Sequence, residues 1–279
     1  MSSTAVEPRG WFKALLHVNG WLVYIFFYAP IILLVVFSFS ASRNVGVWGG
    51  FTFEWYGEFW DSQATRDSLW NSVQIAVLST LISVVLGTMA ALALERFTFR
   101  GHRVFDALLY LPIIIPDVTM AVMLLLFFAQ FFDVINAVFG TDLRKGFSSI
   151  VLSHIAFNIS FVSVVVRARI AGMESRLEEA AMDLYATRWQ AFRYVTVPQI
   201  LPGILGGGLL AMTLSLDDVV ITQFVTGPGW TTLPVYVFGL IRKGVTPLIN
   251  AVSVVMLLGS VTLVALSILA DRARSVGDT

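Results

Sequence analysis

The chain has 279 residues, of which 57% are hydrophobic and only 13% charged, a balance that excludes an ordinary water-soluble domain and points to an integral membrane protein. Its formal net charge is zero, so no bulk basic or acidic field argues for nucleic acid as a partner. Cysteine is absent, which removes disulfides, thiolate metal sites and cysteine nucleophiles, and His17, His102 and His154 stand singly, without the clustering of a metal site.

A membrane-spanning helix needs about 20 mostly apolar residues, because the hydrocarbon core is about 30 Å thick and each helical residue rises about 1.5 Å. Six segments meet this requirement, at residues 21–39, 72–94, 119–138 (with an apolar approach from Ala107), 149–166, 200–224 and 248–270. The expected fold is therefore all-α, one transmembrane domain over residues 1–279. The first segment follows Arg9 and Lys13 and precedes Ser40-Ala41-Ser42, as a signal peptide would. Its apolar run is longer than a signal core, and five further spans follow it.

Lys and Arg in short connections set orientation. With the N-terminus inside, twelve of the eighteen fall on inner segments and six on outer ones. Both termini are expected in the cytoplasm. The connection between spans four and five then lies on the same side.

That connection, at residues 173–197, is charged and helix-prone. Ser175-Arg-Leu-Glu178 and Thr187-Arg-Trp-Gln190 each read as a capping box, in which a hydroxyl accepts from an amide three residues on and the acid or amide side chain reaches back. Two boxes in tandem predict a helix, a break near Tyr185 and Ala186, and a second helix. Met173, Leu177, Ala180, Ala181 and Leu184 form one apolar stripe on the first helix. Glu174, Glu178, Glu179 and Asp183 face Arg176 alone on the other side. A narrow apolar stripe ringed by acids reads either as a solvated helix face or as a docking knob for a basic groove.

Ionisable residues at membrane depth are costly and mark function by default. Asp117 opens span three after Pro112 and Pro116, and Asp217 and Asp218 lie in span five. A straight helix places Asp217 about 28 Å from Pro198, in the outer half of the membrane. Adjacent acids in an apolar run favour a cationic ligand, with Phe224, Trp230 and Tyr236 as cation–π candidates. Ser215-Leu-Asp-Asp218 also reads as a cap on a broken segment, and Trp230 suits a membrane interface equally well. Span five carries Gly203 and Gly206-Gly207-Gly208, small residues that suit either tight helix packing or a hinge.

Glu179-Ala180-Ala181, the turn position at residue 185 and Val195-x-Val197-Pro198 resemble the EAA loop of permease subunits of bacterial ATP-binding-cassette importers. The resemblance implies a six-helix permease with a cytoplasmic coupling-helix pair, the type I importer fold. Glu178, Glu179, Ala180, Ala181, Asp183, Leu184, Tyr185 and Pro198 would belong to the element that seats in the ATPase. The implied partners are a second permease, two ATP-binding-cassette subunits and a periplasmic or extracellular solute-binding protein. ATP and Mg²⁺ would sit on the partners, with no cofactor on this chain, in keeping with the absence of a G-x-x-x-x-G-K-[ST] phosphate loop.

Tyr185 stands where the family carries glycine. Since Thr187 supplies its own helix start, the expected turn has negative φ at Tyr185. Ser215-Leu-Asp-Asp-Val-Val-Ile-Thr222, Gly227-Pro-Gly-Trp-Thr-Thr-Leu-Pro234, Tyr28-Ala-Pro30 and Glu54-Trp-Tyr-Gly57 are similar to the spermidine and putrescine members, implying a small cationic solute imported through the inner membrane. Other solutes, such as an amino-acid derivative or thiamine, stay open. An ion-coupled carrier using Asp217 and Asp218 is the rival reading, and it would carry an inverted repeat that the sequence does not show.

Overall fold

The computed structural model describes residues 10–44, 46–173, 176–244 and 246–277. In chain order these form α1 (Gly10–Phe37), α2 (Glu54–Asp61), α3 (Gln63–Arg96), α4 (His102–Ile114), α5 (Asp117–Phe139), α6 (Phe147–Ala171), α7 (Arg176–Asp183), α8 (Arg188–Ala191), α9 (Val197–Asp217), α10 (Val220–Val225), α11 (Leu233–Lys243) and α12 (Pro247–Gly277). Residues Phe192–Thr196 form a π turn joining α8 to α9. The described residues contain six helices long and apolar enough to cross a membrane, and no β-strand.

The chain divides into two compact units, one of residues Met1–Asp61 with Leu240–Leu258 and one of Ser62–Gly239 with Gly259–Thr279. In the first, α1 leads into a loop held on itself. The Trp55 indole donates to the Ser40 carbonyl at 2.7 Å, and the Ser38 hydroxyl pairs with the Tyr56 hydroxyl at 2.8 Å. Phe39, Phe51, Phe53 and Tyr56 pack ring against ring around that turn.

The second unit is built on α3, α6 and α9 packed against one another. Its close approach is written in small residues. The face that α9 buries is Gly203, Gly207, Ala211 and Ser215, one residue every four, and that of α3 includes Ser72, Ala76, Ser79, Ser83, Gly87 and Ala91. A methyl group added at Gly87 would sit 2.8 Å from Val162 Cβ, and one at Gly207 would sit 3.3 Å from the Val162 Cα. Small residues let backbones meet where lipid supplies no hydrophobic drive between helices. The glycines of span five therefore serve tight packing in this structure.

Three departures from the sequence reading have physical causes. Span five is not continuous to Phe224: α9 stops at Asp217, and α10 begins at Val220. The approach to span three is a separate helix, α4, ended by the residues before Pro116, whose ring disfavours helical geometry in the preceding residue. Upstream, Arg188–Asp217 is continuous helix, loosened only by the π turn. Pro198 has no N–H to give and its ring would clash with the Tyr194 carbonyl, so the turn widens and the Val197 N–H reaches Phe192 instead.

Candidate functional site

Between α7 and α8 the chain makes the expected break. Thr187 accepts from the Gln190 N–H at 3.3 Å while the Gln190 side-chain oxygen accepts from the Thr187 N–H at 2.8 Å, a complete capping box. Its counterpart rests on Ser175, which together with Glu174 lies outside the described residues. Tyr185 has φ +65°, against the expected negative value. The cause is a Schellman ending of α7: the Ala186 N–H reaches the Ala181 carbonyl (3.1 Å) and the Tyr185 N–H the Met182 carbonyl (3.0 Å), a pattern that requires left-handed backbone at residue 185. The Thr187 cap and the left-handed turn coexist.

The side chains of this pair divide into two sets. Leu177, Leu184, Tyr185 and Trp189 are exposed, with Tyr185 98% accessible, and Glu179, Ala180, Asp183 and Pro198 are also exposed. Ala181 is half-buried. Glu178 instead turns toward the membrane-embedded helices, where it pairs with Arg96 at 2.8 Å and accepts from the Thr196 hydroxyl. Nearby, Arg167 on α6 bonds Glu95 (2.8 Å) on α3 and Asp106 (2.5 Å) on α4, with its guanidinium over the Tyr110 ring. Arg167 is thus committed to ion pairs.

At the other end of α9, the helix break gathers the three predicted acids. Asp117, Asp217 and Asp218 all line one cleft of about 510 Å³, with Pro112, Met120, Phe157, Phe161 and Leu214 among its walls. Among the described residues, no Lys or Arg lines it. Asp117 sits in the first turn of α5, a 23-residue helix. Asp217 is the last residue of α9 and exposed.

Asp218 is placed differently. Its carboxylate accepts from the Ile221 N–H (3.2 Å), the Thr222 N–H (2.7 Å) and the Thr222 hydroxyl (2.7 Å), capping α10. Asp218 thus caps the broken segment, as one reading of Ser215-Leu-Asp-Asp218 expects, while Ser215 itself meets His154 Nδ1 at 2.5 Å and the Ser79 hydroxyl at 3.1 Å. His154 is fully buried, and its Nε2 lies 2.9 Å from the Thr222 hydroxyl and 3.4 Å from Asp218 Oδ2. A polar chain thus runs Ser79, Ser215, His154, Thr222, Asp218 across α3, α9, α6 and the helix break.

The three aromatic candidates are not among the residues lining this cleft. Phe224 packs against the buried apolar cluster of α3, α5, α6 and α10, as does Trp230, which also stacks on Phe147 at 4.7 Å. Tyr236 accepts from the Thr65 hydroxyl at 3.4 Å. The rings that line the cleft are Phe157 and Phe161 on α6. Sequence reasoning also missed His154, whose signal was a titratable residue seven positions into an apolar span.

Residues 83–275 match the family described as the binding-protein-dependent transport system inner membrane component. The chain belongs to this family. It is 42% identical over 244 residues to the putrescine transport system permease protein PotI of Escherichia coli K12, covering 87% of this chain and 85% of PotI. The spermidine/putrescine transport system permease protein PotC of the same strain is 35% identical over 257 residues, 92% of this chain and 94% of PotC. Among solved structures, a bacterial ABC transporter involved in the import of the acidic polysaccharide alginate superposes with a TM-score of 0.79, 18% identity and coverage of 95% and 96%. At that identity the likeness establishes the fold, the type I importer permease. The chain is a multi-pass inner-membrane transport permease, and the ion-coupled alternative gives way to the family assignment.

Proposed function

We propose that the chain is one of two permease subunits of an ATP-driven importer and forms half of the path for a small polycationic solute of the putrescine and spermidine class. The carrying observation is the cleft: three carboxylates around about 510 Å³, no Lys or Arg among the described residues lining it, and two aromatic side chains. In a medium of low dielectric such a cavity attracts positive charge strongly, and the names of the 42% and 35% identical relatives point to the same cargo.

In this reading α7 and α8 seat on a partner ATPase, which binds ATP and Mg²⁺ and carries out the hydrolysis. A second permease closes the path, a solute-binding protein delivers the cargo from outside, and both termini lie in the cytoplasm. Closure of the ATPase dimer moves the α7–α8 pair, and the continuous Arg188–Asp217 helix carries that movement to the acids. The cleft then opens to one side of the membrane at a time.

The test is uptake by the complete importer in proteoliposomes. Neutralising Asp217 and Asp218 together is expected to abolish putrescine and spermidine uptake while the complex still assembles; normal uptake would remove them from the path. Titrating ATPase activity with binding protein loaded with polyamines, amino acids or thiamine identifies the cargo class, and stimulation by thiamine or an amino acid alone would overturn the polyamine reading.

A further inference from the structure

We infer that the three acids of the cleft have different tasks: Asp117 and Asp217 bind the cargo, whereas Asp218 is a positioning residue that His154 and Thr222 withhold from it. The inference rests on the polycation reading above and sharpens it, because a site with two available carboxylates selects for two ammonium groups.

The argument is one of acceptor capacity. A carboxylate offers about four lone-pair sites. Asp218 accepts from Ile221 N–H, Thr222 N–H and the Thr222 hydroxyl at 3.2, 2.7 and 2.7 Å, and His154 Nε2 lies 3.4 Å from Oδ2. Three of those sites are taken by internal donors and the His154 ring crowds Oδ2, so an ammonium group entering the cleft finds far less acceptor capacity on Asp218 than on Asp117 or Asp217. Asp117 and Asp217 are exposed and make no hydrogen bond or ion pair among the described residues, so their full acceptor capacity faces the cleft.

The proton positions support the division. The Thr222 hydroxyl gives its hydrogen to Asp218, so toward His154 its oxygen can only accept, and Nε2 must carry a proton. His154 therefore presents an N–H to the Thr222–Asp218 pair. Its other nitrogen is fixed by Ser215, itself bonded to Ser79 on α3. With 0% exposure the ring has no alternative partner in water. The cluster ties α10 to the end of α9 through His154 on α6.

The experiment uses the complete importer in proteoliposomes with saturating loaded binding protein, and reads cargo moved per ATP and the spermidine-to-putrescine uptake ratio. Asp117→Asn and Asp217→Asn are each expected to lower cargo per ATP about tenfold, the scale of losing one charge-assisted hydrogen bond. Asp218→Asn is expected to slow uptake and ATPase in parallel, keeping cargo per ATP within about twofold of the parent.

His154→Leu removes the donor that turns the Thr222 hydroxyl hydrogen toward Asp218, and the spermidine-to-putrescine ratio should rise severalfold as Asp218 becomes a third acceptor. His154→Gln, which retains a donor, should keep the parent ratio, and His154→Leu combined with Asp218→Asn should return to it. A role confined to folding would not move that ratio. Should His154→Leu fail to assemble, Asp218→Asn and His154→Gln still decide through cargo per ATP and the ratio. A loss of cargo per ATP in Asp218→Asn equal to that in Asp217→Asn, or an unchanged ratio in assembled His154→Leu, overturns the inference. If Asp117→Asn and Asp217→Asn leave cargo per ATP unchanged, the polycation reading itself fails.

Discussion

Tyr185 holds a backbone conformation that glycine adopts freely and a ring does not. Left-handed geometry at an L-residue costs about 1–2 kcal/mol, because Cβ crowds the following carbonyl, and the Schellman bonds from Tyr185 and Ala186 hold the residue there. The ring repays none of this by burial within the chain, since it is 98% exposed. Tyr185→Gly is therefore expected to raise the thermal midpoint of the complex slightly, removing about 1 kcal/mol of strain less some gain in unfolded-state entropy. Coupling of ATPase activity to loaded binding protein should persist. A clear loss of coupling with the midpoint unchanged or higher would show that the ring makes a needed contact on the ATPase. Sequence reasoning placed the break at the right residues but gave its backbone the wrong sign. The Thr187 box was legible as a local pattern, whereas the 6→1 bond that imposes positive φ depends on how α7 ends.

At the scale of elements, the α7–α8 pair is tied to the transmembrane helices through a short list of contacts. Glu178 joins α7 to Arg96 at the end of α3 and to Thr196 in the π turn, so one carboxylate touches three elements. Both ends of the ion pair keep a fifth to a third of their surface, at 29% for Arg96 and 22% for Glu178, so its contribution to stability is about 1 kcal/mol at most. The proposed coupling role of the α7–α8 pair makes this contact a candidate for transmission. Arg96→Glu should lower loaded-binding-protein-stimulated ATPase activity severalfold with little change in the amount of complex recovered. Combining it with Glu178→Arg should restore much of the loss, and an absence of restoration would show that the pair does not act as a unit. The sequence placed Glu178 on the acidic docking face, because helical spacing groups it with Glu179 and Asp183. Only the fold shows Arg96, 82 residues earlier, drawing it inward. The same distance in sequence hid His154 from Ser215 and Thr222, while Asp117, Asp217 and Asp218 were legible because charge in an apolar run is visible without a partner.

For the whole molecule, six helices among the described residues are long and apolar enough to cross a membrane, and in the proposed topology the segments joining them alternate between its two sides, so one sidedness fixes all of them. The Lys and Arg distribution supports the proposed orientation: the loop between α3 and α4 is flanked by Arg96, Arg100 and Arg103, and the α7–α8 segment carries Arg176, Arg188 and Arg193, whereas Arg144 and Lys145 alone serve the loop between α5 and α6. Some of this bias has a second use, since Arg167 and Arg96 are bound in ion pairs, yet their carboxylate partners do little to weaken a rule that counts cations. The chain lacks cysteine, so single introduced thiols report position without background. Asn44, Arg144 and Thr98 are exposed, and the proposed topology puts the first two on the side opposite to the third. In intact spheroplasts a membrane-impermeant maleimide is expected to label Asn44→Cys and Arg144→Cys, and to label Thr98→Cys only after the membrane is opened. Labelling of Thr98→Cys in sealed cells would invert the topology, and would put the α7–α8 pair on the side away from any cytoplasmic ATPase. The acids at the end of α9 would then lie near the inner surface, and the delivery of cargo from an external binding protein to the cleft would lose its geometric basis.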